Sequence, residues 1–319
     1  MPMPGTLSTR STHFRRNMSD EHEGDEERRA TFNGTESRPA SETPPSLYDS
    51  DNYYAADARG SRLSPAFESL LLMFDRWRAQ AVVKNTGIFA GRVLDVGAGD
   101  GKFLHFMQRL GFEVEGTTTS TKSARAARGR FGLRLEVSAS LDGQLPHAPF
   151  DLLTYWHVFE HLEDPSSHTR EWPILVRPGG FVVVEVPNIR SIGARLCYGS
   201  WLGSDEKHHI NHQPPETIVT MLRELGFDPR RMEHFSTKFT YVFLWSALLG
   251  SLFGRLYDFD GIMSILKMPL GMLRRRPLWT INAAAAVGYL APAIAGLMLY
   301  GLITGQGEVF RVYAKRQPT

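Results

Sequence analysis

The fold class is decided by one short stretch, Leu94-Asp95-Val96-Gly97-Ala98-Gly99-Asp100-Gly101. A strand-like run, Val93 to Val96, leads into the glycines, and Phe103 to Leu110 continues with helical spacing. Glycines between a strand and a helix let the backbone curl tightly and approach a ligand closely. The stretch therefore predicts a nucleotide-like cofactor site at the end of a parallel strand.

The rest of the central chain repeats this alternation of strand and helix. Further strands are expected at 112–116, 135–137, 150–155 and 181–186, and further helices at 67–83, 125–131 and 216–225. Residues 309–314 alternate like an edge or antiparallel strand. This order predicts an α/β protein with a Rossmann-like doubly wound sheet, covered by helices on both faces.

The composition is that of a globular protein with distinct appendages. The 319 residues carry 36 Lys+Arg against 34 Asp+Glu and a single cysteine, Cys197. These values exclude collagen-like, coiled-coil and disulfide-framework proteins and favour a reducing compartment. The net charge of +2 provides no global field for nucleic acid, so no nucleic-acid partner is expected. We predict five regions: a disordered tail at 1–46, a helical lid at 47–90, the cofactor-binding domain at 91–240, an apolar helical insert at 241–307 and a final strand at 308–319.

The spacing of the glycines distinguishes between cofactors. A dinucleotide fingerprint needs G-x-G-x-x-G, whereas here the third glycine, Gly101, comes one residue early and Lys102 occupies the expected place. Asp95 suits a zwitterionic ligand that carries an ammonium group and no phosphate. S-adenosylmethionine is such a ligand, and NAD is the weaker alternative.

Four ordered motifs make the chain resemble the class I S-adenosylmethionine-dependent methyltransferases of the broad small-molecule type. The motifs are LDVGAGDG (94–101), FDLLTYWHVFEHLEDP (150–165), VRPGGFVVVEVPN (176–188) and HHINHQPPETIVTMLRELGF (208–227). The resemblance implies a sheet of seven strands and S-adenosyl-L-methionine as the cofactor. It also implies a set of cofactor contacts: Asp95, Gly97, Ala98, Gly99, Gly101, Thr118, Asp142, Trp156 and His157.

One position departs from the family pattern. The family usually has Asp or Glu at the end of the second strand, where it accepts hydrogen bonds from both ribose hydroxyls, but this chain has Thr118. A charged acceptor is worth about 1.5 to 3 kcal/mol against about 1 for a neutral one, so we expect roughly tenfold weaker cofactor binding unless Glu115 or another group substitutes. A catalytically inactive adaptor that kept the fold is therefore one alternative.

The segment after the fourth strand carries the residues expected to meet the acceptor. His157, Glu160 and His161 would share one face if a helix begins there, and His209 belongs to a second histidine group ahead of the helix at 216–225. Methyl transfer depends mainly on orientation, plus a base where the acceptor is a hydroxyl, and histidine titrates near neutral pH. We therefore predict catalytic roles for these four residues.

Two other interpretations of the histidine cluster stay open. His157, Glu160, His161 and His208 have side chains that bind divalent metals, although no metal is predicted. In the second interpretation Glu160 and His161 only cap the helix and hydrogen-bond the loop at 208–212. The sequence does not choose between these roles.

The C-terminal region predicts contact with a membrane. Residues 278–304 carry no charge and are long enough to cross a hydrocarbon layer, and Arg274 to Arg276 form a basic group beside them. Because the last strand returns to the sheet, both ends of the insert should lie on one side. This favours a dip into one leaflet, broken at Gly288 and Pro292. One alternative is a hairpin that spans the membrane twice and uses residues 239–254 as its first crossing, and another is a buried helical subdomain or a dimer interface.

Taken together, these patterns predict an S-adenosylmethionine-dependent methyltransferase that acts on an oxygen of a small or lipid-linked acceptor, such as a glycan, a quinone-like compound or a lipid. We expect it at the cytoplasmic face of a membrane. The alternatives are an NAD-dependent sugar-nucleotide enzyme, for which the chain has no Tyr-x-x-x-Lys pair, and a membrane-associated adaptor without activity. The identity of the acceptor and the oligomeric state stay open.

Overall fold

The structure, a computed structural model, describes residues 65–138, 149–197, 201–204, 208–236, 239–240, 243–244, 247–248 and 292–318. All of them belong to one unit of the chain, Leu47–Thr319. The predicted tail at 1–46 lies outside the described residues, and so do the expected cofactor contact Asp142 and most of the predicted insert at 241–307.

Strands and helices alternate through the described part of the chain. The strands are β1 (Gly91–Val96), β2 (Phe112–Thr118), β3 (Glu136–Val137), β4 (Phe150–Trp156), β5 (Val176–Pro187), β6 (Phe227–Glu233) and β7 (Val309–Arg316). The helices are α1 (Pro65–Thr86), α2 (Lys102–Arg109), α3 (Thr121–Phe131), α4 (Pro165–Arg170), α5 (Trp172–Leu175), α6 (Ile192–Cys197), α7 (Pro215–Glu224) and α8 (292–304). A short 3₁₀ helix, Phe159–His161, follows β4.

Local capping residues determine where α3 begins and ends. Ser120 precedes the helix, and its hydroxyl accepts a hydrogen bond from the Ser123 amide at 3.2 Å. Gly132 follows the helix in the left-handed conformation, with φ 72°. These two caps set the length of α3, the helix that connects β2 to β3. The end of β2 lies beside the glycine turn, where the Thr117 carbonyl accepts a hydrogen bond from the Ala98 amide.

The sheet has seven strands in the order β3-β2-β1-β4-β5-β7-β6. β1 pairs in parallel with β2 on one side and with β4 on the other, whereas β7 is antiparallel to β5 and β6. The strand order reverses between β1 and β4, and ligands of such sheets bind outside the carboxyl ends of the strands at this switch point. The prediction of an α/β sheet of seven strands is confirmed.

Apolar side chains cover both faces of the sheet. Along β5, Val182 and Val184 join the core on one face, and Phe181 and Val183 join the core on the other. Helices α5 and α7 complete the first core, and α1 and α2 complete the second. Because full burial of such a side chain is worth about 1.5 to 3 kcal/mol, this double layer holds the carboxyl ends of the strands in fixed positions.

One strand has no counterpart in the sequence pattern. β6 contains Pro229, Arg230 and Arg231, and the two arginines are exposed, so the apolar alternation typical of a strand is lacking. β6 pairs with β7 at the edge of the sheet, a position where proline is tolerated. The strand forms because β7 offers it an edge to pair with, and local propensity contributes little.

The described part of the predicted insert contains α8 and a small apolar cluster. Ile294 of α8 is buried in this cluster together with Trp201 and Phe243, whereas Leu299 and Ile303 are 59% and 75% exposed. Among the described residues, no helix is both long and apolar enough to cross a membrane. An apolar insert that contacts a membrane is therefore not confirmed and stays a prediction.

Candidate functional site

A cleft of about 290 Å³ lies at the carboxyl ends of β1 and β4, at the switch point of the sheet. Most of the expected cofactor contacts line it, namely Asp95, Gly97, Ala98, Gly99, Trp156 and His157. Gly101 and Thr118 are buried and do not belong to the described lining, and Asp142 lies outside the described residues. The cleft also contains Arg78, Lys122 and Phe239, which the sequence analysis did not identify.

The glycine turn requires a residue without a side chain at its first position. Gly97 has φ 72°, and a Cβ placed on it would lie 2.5 Å from Val158 Cγ2. The turn is bound to β2, because the Ala98 amide donates to the Thr117 carbonyl at 2.7 Å and the Gly97 amide donates to Thr117 Oγ1 at 3.3 Å. Neighbouring segments on both sides therefore fix the backbone that faces the ligand.

Asp95 is the acid at the end of β1, and it is almost completely buried beside the cleft. Its Oδ1 accepts a hydrogen bond from Thr154 Oγ1 at 2.6 Å. Burial raises the pKa of the carboxyl to about 7, against the opposing effects of Thr154 and Arg78. A cationic ligand group would stabilise the ionised form, so Asp95 is suited to bind an ammonium group.

Arg78 of α1 brings a positive charge to the same cleft. Its Nη1 lies 3.2 Å from Asp75 Oδ1, its Nη2 lies 3.4 Å from Glu185 Oε1, and its guanidinium lies 4.6 Å from the ring centroid of Trp156. A signal for this role exists in the sequence. Asp75 and Arg78 fall four residues after Leu71 and Phe74, on the apolar stripe of a helix, where paired charges are unusual.

The end of β2 offers no replacement for the missing acid among the described residues. Thr118 is buried, and its Oγ1 accepts a hydrogen bond from the Ser120 amide at 3.4 Å. Glu115, the suggested substitute, is paired with Arg92 Nη2 at 2.6 Å and does not line the cleft. The suggestion that Glu115 substitutes is therefore wrong, because an arginine at the start of β1 binds its carboxylate.

His157 follows β4 in a left-handed conformation, with φ 55°, and the helix after it is 3₁₀ rather than α. Its Nδ1 lies 3.1 Å from Glu160 Oε1, and its Nε2 lies 3.1 Å from Glu185 Oε1. Burial opposes the charged form, but the two carboxylates outweigh it and raise the pKa of the imidazole. A histidine that donates to carboxylates from both nitrogens is poorly suited to the predicted role of a base.

Glu160, His161 and His209 form a second group, in which one ligand atom from each residue lies within 4.8 Å of the others. His161 Nδ1 donates to the His208 carbonyl at 2.8 Å, and His209 Nδ1 donates to the Gly203 carbonyl at 2.8 Å. These bonds leave the lone pair of each neutral ring on Nε2. Such lone pairs suit either a base or a divalent cation.

The expected metal set differs from this group in two members. The nitrogens of His157 both face carboxylates, and His208 contributes its carbonyl as the acceptor for His161. His209 joins Glu160 and His161 instead. Of the four residues predicted as catalytic, only His157 belongs to the described lining of the cleft.

Comparison with known proteins identifies the family. A family model described as "Methyltransferase domain" matches residues 48–231, which is more than half of the chain. The chain therefore belongs to this methyltransferase family, and the prediction of a class I S-adenosylmethionine-dependent methyltransferase is confirmed at this level. The family favours S-adenosylmethionine over the NAD alternative.

Individual relatives match parts of the chain. It is 29% identical over 154 residues to a ubiquinone biosynthesis O-methyltransferase of Ruegeria pomeroyi, and 30% identical over 152 residues to one of Maricaulis maris. Each alignment covers 44% of this chain, and they cover 62% and 59% of those relatives. The structure of a candidate sarcosine dimethylglycine methyltransferase from Galdieria sulphuraria covers 84% of this chain and 98% of its own at 16% identity, with a TM-score of 0.51. The last comparison supports the fold alone.

Proposed function

We propose that this chain transfers the methyl group of S-adenosylmethionine to an oxygen atom of a small or lipid-linked acceptor. One observation carries the proposal: both Asp95 and Arg78 line the cleft beside the glycine turn. The methionine end of the donor carries an ammonium group and a carboxylate, so its charges are complementary to this pair. A dinucleotide would bring a diphosphate, and the glycine spacing, with Gly101 one residue early, does not match the fingerprint that binds one.

The cofactor supplies a methyl group on a sulfonium, whose departure leaves a neutral thioether. The protein therefore has two tasks, to orient the reactants and to accept the acceptor's proton. We assign the proton to Nε2 of His161, with His209 beside it, because the Nδ1 of each ring is held by a backbone carbonyl. The buried carboxylate of Glu160 would stabilise the imidazolium that forms.

His157 supports this arrangement without taking the proton itself. It binds Glu160 Oε1 and thereby orients the carboxylate toward the two other histidines. Its ring centroid lies 4.0 Å from that of Phe239, which lines the cleft. The residue therefore connects the cofactor cleft with the group that is expected to handle protons.

The acceptor is proposed from the relatives and from α8. Both cited relatives are named O-methyltransferases of ubiquinone biosynthesis, which favours oxygen and a quinone-like, lipid-soluble acceptor. Helix α8 exposes four large apolar side chains on adjacent positions, namely Leu299, Tyr300, Leu302 and Ile303. At 1.5 Å per residue α8 is about 20 Å long, shorter than a ~30 Å hydrocarbon layer, so we propose that it rests on the cytoplasmic face of a membrane.

Parallel equilibrium titrations test the cofactor. S-adenosylhomocysteine, the product form, should bind, and NAD should not. His161→Ala should lower turnover roughly a hundredfold to ten-thousandfold while its affinity for S-adenosylhomocysteine stays unchanged. His105→Ala, at a half-buried histidine stacked on Phe131, is the control and should keep its turnover.

Several outcomes would contradict the proposal. Absence of binding to S-adenosylhomocysteine would exclude the cofactor assignment, and binding without turnover on any quinone-like, glycan or lipid acceptor would favour an inactive adaptor. Loss of turnover on chelation, restored by a divalent cation, would assign Glu160, His161 and His209 to a metal instead of a base.

Flotation with anionic phospholipid vesicles tests the membrane contact. The full chain should float with the vesicles, and the double variant Leu299→Ser with Ile303→Ser should lose most of that binding, because two exposed apolar anchors are removed. Leu110→Ser, at an exposed leucine outside α8, is the matched control. Equal flotation of all three proteins would contradict the role of α8.

A further inference from the structure

Thr154 is a completely buried threonine near the end of β4 that the proposed chemistry does not use. Its neighbours along the chain, Leu153 and Tyr155, belong to an apolar core of the sheet. Burial of a hydroxyl costs free energy unless the hydroxyl is hydrogen-bonded. A threonine at this position therefore needs a polar partner inside the sheet.

The partner of Thr154 is Asp95. β1 and β4 pair in parallel with Asp95 opposite Thr154. Thr154 Oγ1 donates to Asp95 Oδ1 at 2.6 Å, and the Leu94 carbonyl is a more distant acceptor at 3.4 Å. Hydrogen bonds to a carboxylate are stronger than those to a neutral acceptor. The register of the two strands therefore fixes the orientation of one oxygen of the acid.

The second oxygen of Asp95 is the one left for a ligand. Asp95 lines the cleft and is 2% exposed, whereas Thr154 does not belong to the described lining. With Oδ1 bound to Thr154, Oδ2 of Asp95 has no hydrogen-bond partner among the residues that the structure describes. A ligand in the cleft would thus contact Asp95, and Thr154 would act on that ligand only through Asp95.

Arg78 does not provide the same support to Asp95. Its guanidinium is paired with Asp75 and Glu185, so it acts on Asp95 from a distance. Burial raises the pKa of Asp95 to about 7, the Thr154 hydrogen bond and Arg78 oppose this rise, and Asp75 adds to it. The other charged or titratable side chains of the described lining are Asp100, Lys102, Lys122 and His157. Within the described part of the chain, Thr154 is therefore the direct contact that favours the ionised carboxylate.

We propose that Thr154 is a positioning residue for donor binding, whose hydroxyl orients the carboxylate of Asp95 so that Oδ2 receives the ammonium group of the donor. This inference rests on the proposed function, because it concerns the same cofactor. It has a consequence for ligand selection. Ligands that carry the ammonium group depend on Thr154, and adenosyl ligands without that group do not.

Titration calorimetry with two adenosyl ligands tests the inference. Thr154→Val replaces the hydroxyl with a methyl group of similar size, so affinity for S-adenosylhomocysteine at pH 7 should fall roughly fivefold to fiftyfold. 5′-Methylthioadenosine has no ammonium group and should bind this variant as tightly as the wild type, which also shows that the variant is folded. Thr154→Ala, with a smaller side chain, should give the same contrast between the two ligands.

Two further variants serve as controls. Thr154→Ser keeps the hydroxyl and should bind both ligands like the wild type. Thr169→Val changes a buried threonine of α4 whose hydroxyl donates to the Ser166 carbonyl at 3.3 Å, and it should also leave both affinities unchanged. A loss in Thr154→Ser as large as that in Thr154→Val would contradict a role of the hydroxyl.

The pH profile gives a readout that a purely structural role would not change. Loss of the Thr154 hydrogen bond should raise the pKa of Asp95 further. The ratio of wild-type to Thr154→Val affinity for S-adenosylhomocysteine should therefore grow roughly fivefold or more as pH falls from 8 to 6. A ratio that is equal at both pH values would overturn the inference, and so would an equal loss of both ligands.

The two proposals fail in different ways. A wild-type chain that does not bind S-adenosylhomocysteine would overturn the proposed function and this inference with it. A wild-type chain that binds it, together with a Thr154→Val variant that binds it equally well, would overturn only the role of Thr154.

Discussion

The two sides of the cleft are built in different ways. The donor side is built mainly on one continuous stretch, Leu94 to Gly101, which β2 supports through Thr117, and Arg78 joins it from α1. The acceptor side is assembled from residues that are distant in the chain, because His157 after β4 lies between Glu160 and Glu185, and Glu185 belongs to β5. Local sequence therefore determines most of the donor side, whereas tertiary pairing of charged side chains determines the acceptor side.

The charges behind the acceptor side form a buried network. Arg311 of β7 donates from Nε to Glu185 Oε2 at 2.7 Å and from Nη1 to Glu233 Oε2 at 3.0 Å. Arg78 approaches Glu185 from α1. Burying charges is costly unless each is paired, so a network of this kind is sensitive to the loss of a single member.

Removal of His157 should have the largest effect. His157→Ala leaves Glu160 and Glu185 buried without the imidazolium between them, so we expect a loss of about 3 to 5 kcal/mol in the free energy of unfolding, measured by urea denaturation. His105→Ala, which removes a ring stacked on Phe131, should cost less. If the two variants were equally stable, the acceptor side would not depend on its charge network.

The pH dependence of stability provides a second test of the same residue. Two carboxylates raise the pKa of His157 in the folded state despite its burial, so the stabilisation is complete below the ordinary histidine pKa and is lost as pH rises through the raised value. His157→Ala should lack this loss on the alkaline side. A variant that retains the same alkaline loss would assign it to another group.

Substitution of Gly97 tests the glycine turn through its effect on donor binding. Gly97→Ala places a Cβ 2.5 Å from Val158 Cγ2 at φ 72°, so we expect affinity for S-adenosylhomocysteine to fall about a hundredfold or more, equivalent to roughly 2.7 kcal/mol. Gly99→Ala is a matched control, because φ is 56° there and no atom lies within 4 Å of the added Cβ. Equal losses in both variants would show that backbone conformation alone matters.

The same contrast explains what the sequence could predict. The strand, glycine turn and helix lie in one continuous stretch, residues 91–109, so the cofactor class could be predicted, and the alternation of strands and helices along the central chain predicted the parallel sheet. The residue types of the acceptor side were also identified, but their roles were not. Whether His157 is a base or hydrogen-bonds to two carboxylates depends on Glu185, which lies 28 residues away in the chain.

Two further features depend on tertiary contacts rather than on local sequence alone. β6 exists because β7 gives it an edge to pair with, although Arg230 and Arg231 interrupt the apolar pattern. Arg78 carries a local signal, a charge on the apolar stripe of α1, but its place in the cleft depends on the packing of α1 beside α2.

Titration of Asp95 should give the smallest of these effects, a change in donor affinity with pH. Its pKa is about 7, so about half of the carboxyl is ionised at pH 7 and about a tenth at pH 6. Because the ligand ammonium binds the ionised form, affinity for S-adenosylhomocysteine should fall about fivefold between pH 7 and pH 6, measured by calorimetry.

Two controls isolate this titration from the neighbouring charges. Asp95→Asn should bind more weakly at pH 7 and should show a flat profile from pH 7 to pH 6. 5′-Methylthioadenosine has no ammonium group, so its affinity for the wild type should be nearly constant over the same range. A fivefold fall that persists in Asp95→Asn would place the titrating group elsewhere, and the acceptor-side histidines would then have to influence donor binding. In that case donor affinity would depend on the protonation of the acceptor-side histidines, and the glycine turn with Asp95 would not determine that affinity by itself.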